Sequence, residues 1–150
     1  PVEISVEVQH PALPALADRL SVRASRMLDA LSLSQAELSL LLCEEPTIAR
    51  LNHTYRAVMG PTDVLAFPSA LPVGQGPRCA ELPQVLGDIV LCLPYADRQA
   101  QQHQRTLEAE ATLLLAHGLL HLLGCDHRDP AETRRMNART DALLSTAAKL

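Results

Sequence analysis

Residues 117–127 read His117-Gly118-Leu119-Leu120-His121-Leu122-Leu123-Gly124-Cys125-Asp126-His127, a stretch that organises the C-terminal part of the chain. The leucines around its first two histidines predict a helix that is buried on most of its sides. Gly124 predicts the end of this helix, because glycine readily adopts the left-handed conformation found after helix C-termini. Asp129 before Pro130, with Glu132 three residues after the aspartate, predicts the start of another helix.

The three histidines of this stretch have a spacing that can bring three imidazoles around one metal ion. His117 and His121 lie one turn apart on the predicted helix, with Cβ atoms roughly 5–6 Å apart. Zinc binds imidazole nitrogens at about 2.0–2.1 Å, and two rings that lean towards each other can meet that requirement. The reversal at Gly124 would swing His127 back towards the pair. We therefore predict a metal site on His117, His121 and His127, although a single histidine in an apolar helix is more often a hydrogen-bonded core residue.

The chemistry of the predicted site depends on a residue that the stretch lacks. Zinc peptidases of the His-Glu-x-x-His type have a glutamate general base after the first histidine, and here that position is Gly118. A peptidase is therefore disfavoured. Three protein ligands still leave a coordination position open for a water, whose pKa falls to about 7 when zinc binds it. The sequence thus favours a metal-dependent hydrolase that needs no carboxylate base.

Length and composition predict one domain over residues 1–150. Hydrophobic residues make up 47% of the 150 positions, enough for a sizeable core in a chain of this length. Two tyrosines and one phenylalanine are its only aromatic residues, so the core has to be aliphatic. So few rings also argue against recognition of nucleic acid by rows of stacked aromatic side chains.

The charged residues of the chain give two opposing indications about a nucleic-acid partner. Its formal net charge of −4 argues by itself against a nucleic-acid partner. The basic residues are nevertheless almost all arginine, whose planar guanidinium suits phosphate. Individually, most of these arginines are expected only to solvate helix faces. Those in the segments around the predicted site are Arg50, Arg56, Arg78, Arg98, Arg105, Arg128, Arg134, Arg135 and Arg139.

Membrane segments and disulfides are not expected. No apolar stretch reaches the roughly 18–20 residues of a membrane span, and the N-terminal residues lack a signal-peptide pattern, so a cytoplasmic protein without a membrane partner is expected. The cysteines have no Cys-x-x-Cys spacing, which predicts reduced and mostly buried thiols at Cys43, Cys79, Cys92 and Cys125.

Hydrophobic periodicity predicts an α/β (α+β) domain with a small mixed four-stranded sheet and about five helices, the metal site lying on the penultimate helix and the turn after it. The predicted strands are 2–8, 38–43, 64–67 and 87–93. The predicted helices are about 13–31, 46–58, 95–104, 107–123 and 130–148. An irregular segment rich in proline and glycine, 68–83, separates the last two strands and is long enough to be a mobile flap or a binding element.

Several segments, in this order, resemble the YbeY family of bacterial endoribonucleases that act in ribosomal RNA maturation. They are Leu51-Asn52-His53-Thr54-Tyr55-Arg56, Pro61-Thr62-Asp63-Val64-Leu65-Ala66-Phe67-Pro68, Leu86-Gly87-Asp88-Ile89, and the histidine stretch continued through Asp126-His127-Arg128-Asp129-Pro130. The resemblance covers nearly the whole chain, from the first strand to the last helix.

This resemblance implies a metal-dependent endoribonuclease directed at single-stranded RNA, with roles in 16S rRNA 3′-end processing and small-subunit quality control. It implies one zinc ion per chain on His117, His121 and His127, and three imidazoles also suit other divalent transition metals. The implied partners are ribosomal RNA, the small ribosomal subunit and a ribosome-associated GTPase.

The resemblance also implies an arginine important for activity, which falls on Arg56. Cleavage of a phosphodiester builds negative charge on the non-bridging oxygens, and a guanidinium can stabilise that charge. The alternative role for Arg56 is a structural salt bridge between its helix and the 68–83 segment.

The chain departs from the family pattern at a few positions. Ala66 stands where the family commonly has serine, and Ala57, Val58 and Met59 stand where it has glycine with an acidic residue. None of these is a proposed ligand, but the missing hydroxyl and charge beside Arg56 are expected to weaken a substrate contact. Asp63, Asp88 and Asp126 are candidate acceptors for histidine N–H groups, although an acidic turn residue is more often a local cap.

Two other functions stay open on the sequence alone. One is a non-enzymatic ribosome assembly factor with a structural metal. The other is a metal-dependent hydrolase of another substrate, such as small phosphoesters or peptides.

Overall fold

The computed structural model describes residues 3–8, 14–33, 35–69, 84–125 and 129–148. Its strands are β1 (Glu3–Val8), β2 (Ala36–Cys43), β3 (Val64–Pro68) and β4 (Gln84–Cys92). Its helices are α1 (Pro14–Ala30), α2 (Glu45–Arg56), α3 (Leu93–Gln102), α4 (Leu107–Leu122) and α5 (Pro130–Ala148). The predicted elements are confirmed in type and order, with bounds that shift by at most three residues. The predicted segment 68–83 lies almost entirely outside the described residues.

The four strands form one mixed sheet in the order β1-β2-β4-β3. β1 pairs with β2 and β2 with β4 in parallel, whereas β3 pairs with β4 antiparallel. The small mixed sheet predicted from periodicity is therefore confirmed. Its two central strands are β2 and β4, and β3 is an edge strand.

Helices cover the two faces of the sheet to different extents. On the inner face, side chains such as Leu40 and Ile89 join the main core with helices α1, α3, α4 and α5. On the outer face α2 covers only part of the surface, where its Ile48 packs in a smaller cluster with Cys43, Leu65, Val90 and Cys92. Since side chains alternate along a strand, neighbouring residues of β2 and β4 serve different faces.

Two cysteines of this smaller cluster confirm the expectation of buried thiols. Cys43 and Cys92 are partners in the β2–β4 register and both are fully buried. Burial is the main cause that raises the pKa of Cys43 to about 12, and it also raises the pKa of Cys92. Both therefore remain uncharged thiols at neutral pH. Cys125 is a half-buried free thiol, and Cys79 lies outside the described residues.

Gly87 permits the close approach of β3 to β4. It has φ +135°, and a Cβ at this position would lie 2.1 Å from the carbonyl oxygen of Phe67. Only glycine fits so close to a neighbouring backbone.

None of the helices in the described ranges is long and apolar enough to cross a membrane.

Candidate metal centre

Helix α4 carries the first two candidate ligands and is the most enclosed helix of the fold. Its N-terminus is capped by Thr106, whose hydroxyl accepts a hydrogen bond from the Ala109 amide at 3.1 Å. From there it runs through the core in contact with α1, α3, α5, β3 and β4. His117 and His121 lie one turn apart and are both half-buried. The helix therefore holds two imidazole donors at a fixed spacing on a rigid support.

The predicted end of helix α4 at Gly124 is confirmed. Gly124 has φ +90°, its amide donates to the His121 carbonyl at 3.0 Å, and the Cys125 amide donates to the Leu120 carbonyl at 2.9 Å. This pair of hydrogen bonds is a Schellman motif, in which a left-handed residue ends the helix and satisfies its last carbonyls. The backbone of His121 is thus part of the structure that turns the chain.

The predicted helix start after the histidine stretch is also confirmed. The Asp129 carboxylate accepts a hydrogen bond from the Glu132 amide at 2.8 Å, and Pro130 is the first residue of α5. His127, the third candidate ligand, falls between these two anchored ends and lies outside the described residues. Within the described ranges, no three His, Cys, Asp or Glu side chains group closely enough to hold a metal ion.

The donor chemistry of the pair fits a transition metal. Two half-buried imidazoles on one helical face are nitrogen donors of the type that zinc, copper, nickel and iron bind. Hard cations such as magnesium prefer oxygen ligands, which neither side chain offers.

Gly118 has a structural reason to be glycine. A Cβ built on it would lie 3.0 Å from Cδ1 and 3.1 Å from Cγ2 of Ile89, on β4. The residue between the histidines therefore faces the sheet in close contact. A glutamate base of the peptidase type would have to displace the core at this point, which strengthens the case against a peptidase.

Ala66 faces α4, not α2. It pairs with Ile89 in the β3–β4 register and packs against the inner-face core. The family serine at this position would place its hydroxyl on the histidine-bearing side of the sheet. Ala66 and helix α2 therefore lie on opposite faces of the sheet, and the expected weakening of a substrate contact stays a prediction.

Arg56 is the last residue of α2 and its side chain is exposed. It forms no ion pair with any residue that the structure describes. The structure does not join it to the two histidines through a hydrogen bond or ion pair between described residues. The structural salt bridge considered as its alternative role involves residues 70–83, which lie outside the described ranges.

The turn after Arg56 accounts for another departure from the family. Ala57 has φ +55°, and the amides of Ala57 and Val58 donate to the carbonyls of His53 and Asn52. This is an αL-type helix C-cap, with alanine at the left-handed position where glycine is normally favoured. The glycine typical of the family is thus the residue that this backbone conformation prefers.

Two of the candidate acidic acceptors, Asp63 and Asp88, have other surroundings in the structure. The Asp63 carboxylate accepts from the Val64 amide at 2.7 Å and acts as a local cap at the start of β3. Asp88 is exposed and lines a groove on the outer face, away from α4. Asp126 lies outside the described residues. The interpretation of these aspartates as local caps therefore fits Asp63.

The outer-face groove is a feature that sequence reasoning missed. It has a volume of about 530 Å³ and runs between the row Ser5–Ser39–Asp88 and the wall made by Leu51 and Tyr55. Tyr55 packs edge-to-face on Phe67 with ring centroids 5.2 Å apart. Alternation placed these residues on one face of each strand, but only the pairing register brings them into one row.

Comparison with known proteins points to one family. The sequence profile of the family described as Endoribonuclease YbeY matches residues 6–148. The chain is 44% identical over 144 residues to the Endoribonuclease YbeY of Anaeromyxobacter sp. (strain Fw109-5), an alignment that covers 96% of this chain and 71% of that protein. It is 41% identical to that of Thermobifida fusca, covering 95% and 93% of the two chains. With the Myxococcus xanthus protein the identity is 43%, over 94% of this chain but 47% of the longer relative.

A solved structure supports the fold. A solution structure of a Thermotoga maritima protein aligns with a TM-score of 0.66, covering 98% of this chain and 89% of its own, at 22% sequence identity. At this identity the similarity is one of fold.

Replacing Ala57 by glycine should stabilise the protein. Glycine avoids the steric cost of a Cβ in the left-handed region, about 1–2 kcal/mol. Part of this gain is lost because glycine raises the conformational entropy of the unfolded chain. We expect the free energy of unfolding in urea to rise by about 0.5–1 kcal/mol. Val58→Gly, one residue further along, serves as the control and should not stabilise. A loss of stability in Ala57→Gly would contradict the assigned turn.

Replacing Gly118 by alanine should destabilise the protein through its contact with Ile89. Alanine is about 1 kcal/mol better than glycine in a helix, but overpacking a core contact costs roughly 1–3 kcal/mol. We expect a net loss of about 1 kcal/mol in the wild-type background and a smaller loss, or a gain, when Ile89→Val removes the Cδ1 methyl. A double-mutant cycle by urea unfolding measures this coupling. Equal effects in both backgrounds would show that the two residues do not press on each other.

Proposed function

The chain belongs to the YbeY endoribonuclease family, and from this membership we propose that it is a metal-dependent endoribonuclease that cleaves single-stranded ribosomal RNA. The proposed roles are 16S rRNA 3′-end processing and small-subunit quality control. The observation that carries the proposal is the family match over residues 6–148, in a chain whose α4 presents His117 and His121 and ends in a tight reversal.

We propose that His117, His121 and His127 hold one zinc ion. The first two are supported by their spacing on α4 and the third by its place directly after the Schellman turn. A bound metal would supply Lewis-acid chemistry at a phosphate and a nucleophile at neutral pH. The chain's own contribution is to hold the imidazoles rigidly, since α4 is packed on several sides and the His121 carbonyl is tied into the turn.

Arg56 is proposed as the residue that stabilises negative charge on the phosphate during cleavage. Its guanidinium is exposed and has no acidic partner in the described part of the chain, so its donors are available to a phosphate. A preorganised cation of this kind lowers the energy of a transition state in which phosphate oxygens gain charge.

The proposed partners are the small ribosomal subunit and a ribosome-associated GTPase, and the proposed location is the cytoplasm. The family membership supports these proposals.

His121→Ala should lose both bound metal and RNA cleavage. Three ligands are the minimum of a catalytic zinc site, so removing one should release the ion. Elemental analysis of the purified protein measures metal content, and gel analysis of a single-stranded ribosomal RNA fragment measures cleavage. His53→Ala, which removes an exposed imidazole from α2, is the control for metal content and should keep it unchanged.

The results separate the open functions. If metal-loaded wild-type protein leaves RNA intact but cleaves a small phosphoester or casein, the substrate assignment is wrong. If it cleaves nothing, and a fourth protein ligand closes the metal site, the protein is an assembly factor with a structural metal.

Arg56→Ala should reduce kcat by about 10²–10³, because it removes one charge-stabilising donor from the transition state. Metal content should stay at the wild-type level, which distinguishes this role from metal binding. Arg56→Lys keeps the charge but not the fork and should recover part of the rate. Arg50→Ala, on the same helix, is the matched control and should cleave normally. Equal rates for the Arg50 and Arg56 variants would exclude the proposed role.

A further inference from the structure

The arginines of the fold divide into two groups by their partners. Four of those on α1, α3 and the α3–α4 connection are neutralised by carboxylates, whereas Arg26 of α1 donates to the Ala147 carbonyl. The pairs are Arg19 and Arg23 with Glu108, Arg98 with Glu45, and Arg105 with the buried Glu110. In contrast, Arg134, Arg135 and Arg139 of α5 form no ion pair with any residue in the described ranges. Helix α5 therefore presents positive charge that no carboxylate among the described residues neutralises.

Two of these α5 arginines line one pocket. Arg135 and Arg139 lie one turn apart, on the same side of the helix. They border a pocket of about 230 Å³, whose opposite wall is formed by Leu123, Gly124 and Cys125. Glu132 also lines the pocket, so its three charged side chains carry a net charge of +1. Arg134 is exposed on the same helix but does not line it.

One of the two guanidinium groups is held in place. Arg139 Nη1 lies 2.9 Å from Cys125 Sγ, a weak acceptor that orients the group without neutralising it. Cys125 is the residue that closes the Schellman turn of α4. A positioned cation with unused donors is the arrangement that binds phosphate oxygens best.

The pocket adjoins the candidate metal centre along the chain. Its wall begins at Leu123, which follows His121 by two residues in the sequence. It continues through Cys125 to within two residues of His127. An RNA strand whose scissile phosphate lies at the histidines would therefore pass this pocket with a neighbouring phosphate.

We propose that Arg135 and Arg139 form a subsite that binds a backbone phosphate of the RNA strand next to the scissile one. The subsite positions substrate and takes no part in bond cleavage. This inference rests on the proposed endoribonuclease function, because it names how the same site holds its substrate.

The test compares Arg135→Ala, Arg139→Ala and the double variant with Arg134→Ala, which removes the same charge from the same helix outside the pocket. Binding of a labelled single-stranded RNA is measured by fluorescence anisotropy at several salt concentrations, and the RNA is checked for intactness afterwards. We expect each pocket variant to weaken binding about ten-fold. The slope of log K against log salt should decrease by about 0.7 per arginine. Arg134→Ala should bind like the wild type.

Kinetics and an anion probe complete the test. The pocket variants should raise KM with kcat unchanged, as expected for binding that is equal in the ground and transition states. Inorganic phosphate should compete with RNA less strongly for the double variant than for the wild type, since Arg56 and the histidine site are unchanged. Arg139→Ala also removes the contact to Cys125, so thermal unfolding is recorded for each variant, and Arg135→Ala, which has no such contact, decides the case if Arg139→Ala is unstable.

Three results would overturn the inference. Equal losses in the Arg134 and Arg135 variants would show a general electrostatic surface instead of a subsite. Wild-type RNA affinity in the double variant would show that the strand does not reach the pocket. Loss of phosphate binding without loss of RNA binding would assign the pocket to a free anion. None of these three results depends on RNA cleavage by the wild type or on its loss in His121→Ala. Failure of the subsite can therefore be distinguished from failure of the proposed function.

Discussion

The close packing of α4 against β4, where Gly118 meets Ile89, is the contact on which the rest of the structure depends. It brings the helix axis near enough to the sheet for its leucines to fill the inner-face core. A larger residue at 118 would push the helix outward and loosen the contacts that α4 makes with α1, α3 and α5. The core packing of α4 therefore holds the histidines on either side of this glycine in place, as a preorganised metal site requires.

Charge placement follows from the same architecture. Carboxylates at the start of α2 and α4 interact favourably with the partial positive charge of the helix N-termini. They also neutralise arginines from α1 and α3. Arg134, Arg135 and Arg139 of helix α5 form no ion pair with residues in the described part of the chain. A protein with net charge −4 can therefore present local positive charge beside the proposed site. Distribution of charge decides the partner here, and the sum does not.

Local signals in the sequence predicted most of the fold because each acts over a few residues. Gly124 and Pro130 mark the two helix ends that frame the histidine stretch, and the structure confirms both. The absence of glycine at 57 concealed the left-handed C-cap of α2, since alanine in the left-handed conformation leaves no mark in the sequence. The face of the sheet that Ala66 occupies was not predicted, for a different reason. Proximity along the chain to Arg56 does not show which face of the sheet a strand residue occupies.

The sequence by itself determined the element order, the spacing of His117 and His121 and the kinship with one endoribonuclease family, because these are properties of local pattern. Tertiary structure alone decided which residues share a face: the row Ser5–Ser39–Asp88, the contact of Gly118 with Ile89, and the pocket between α5 and the α4 turn. These arrangements depend on strand register and helix packing between residues far apart in the chain. Such contacts are set by the fit of whole surfaces, and no short stretch of sequence encodes them.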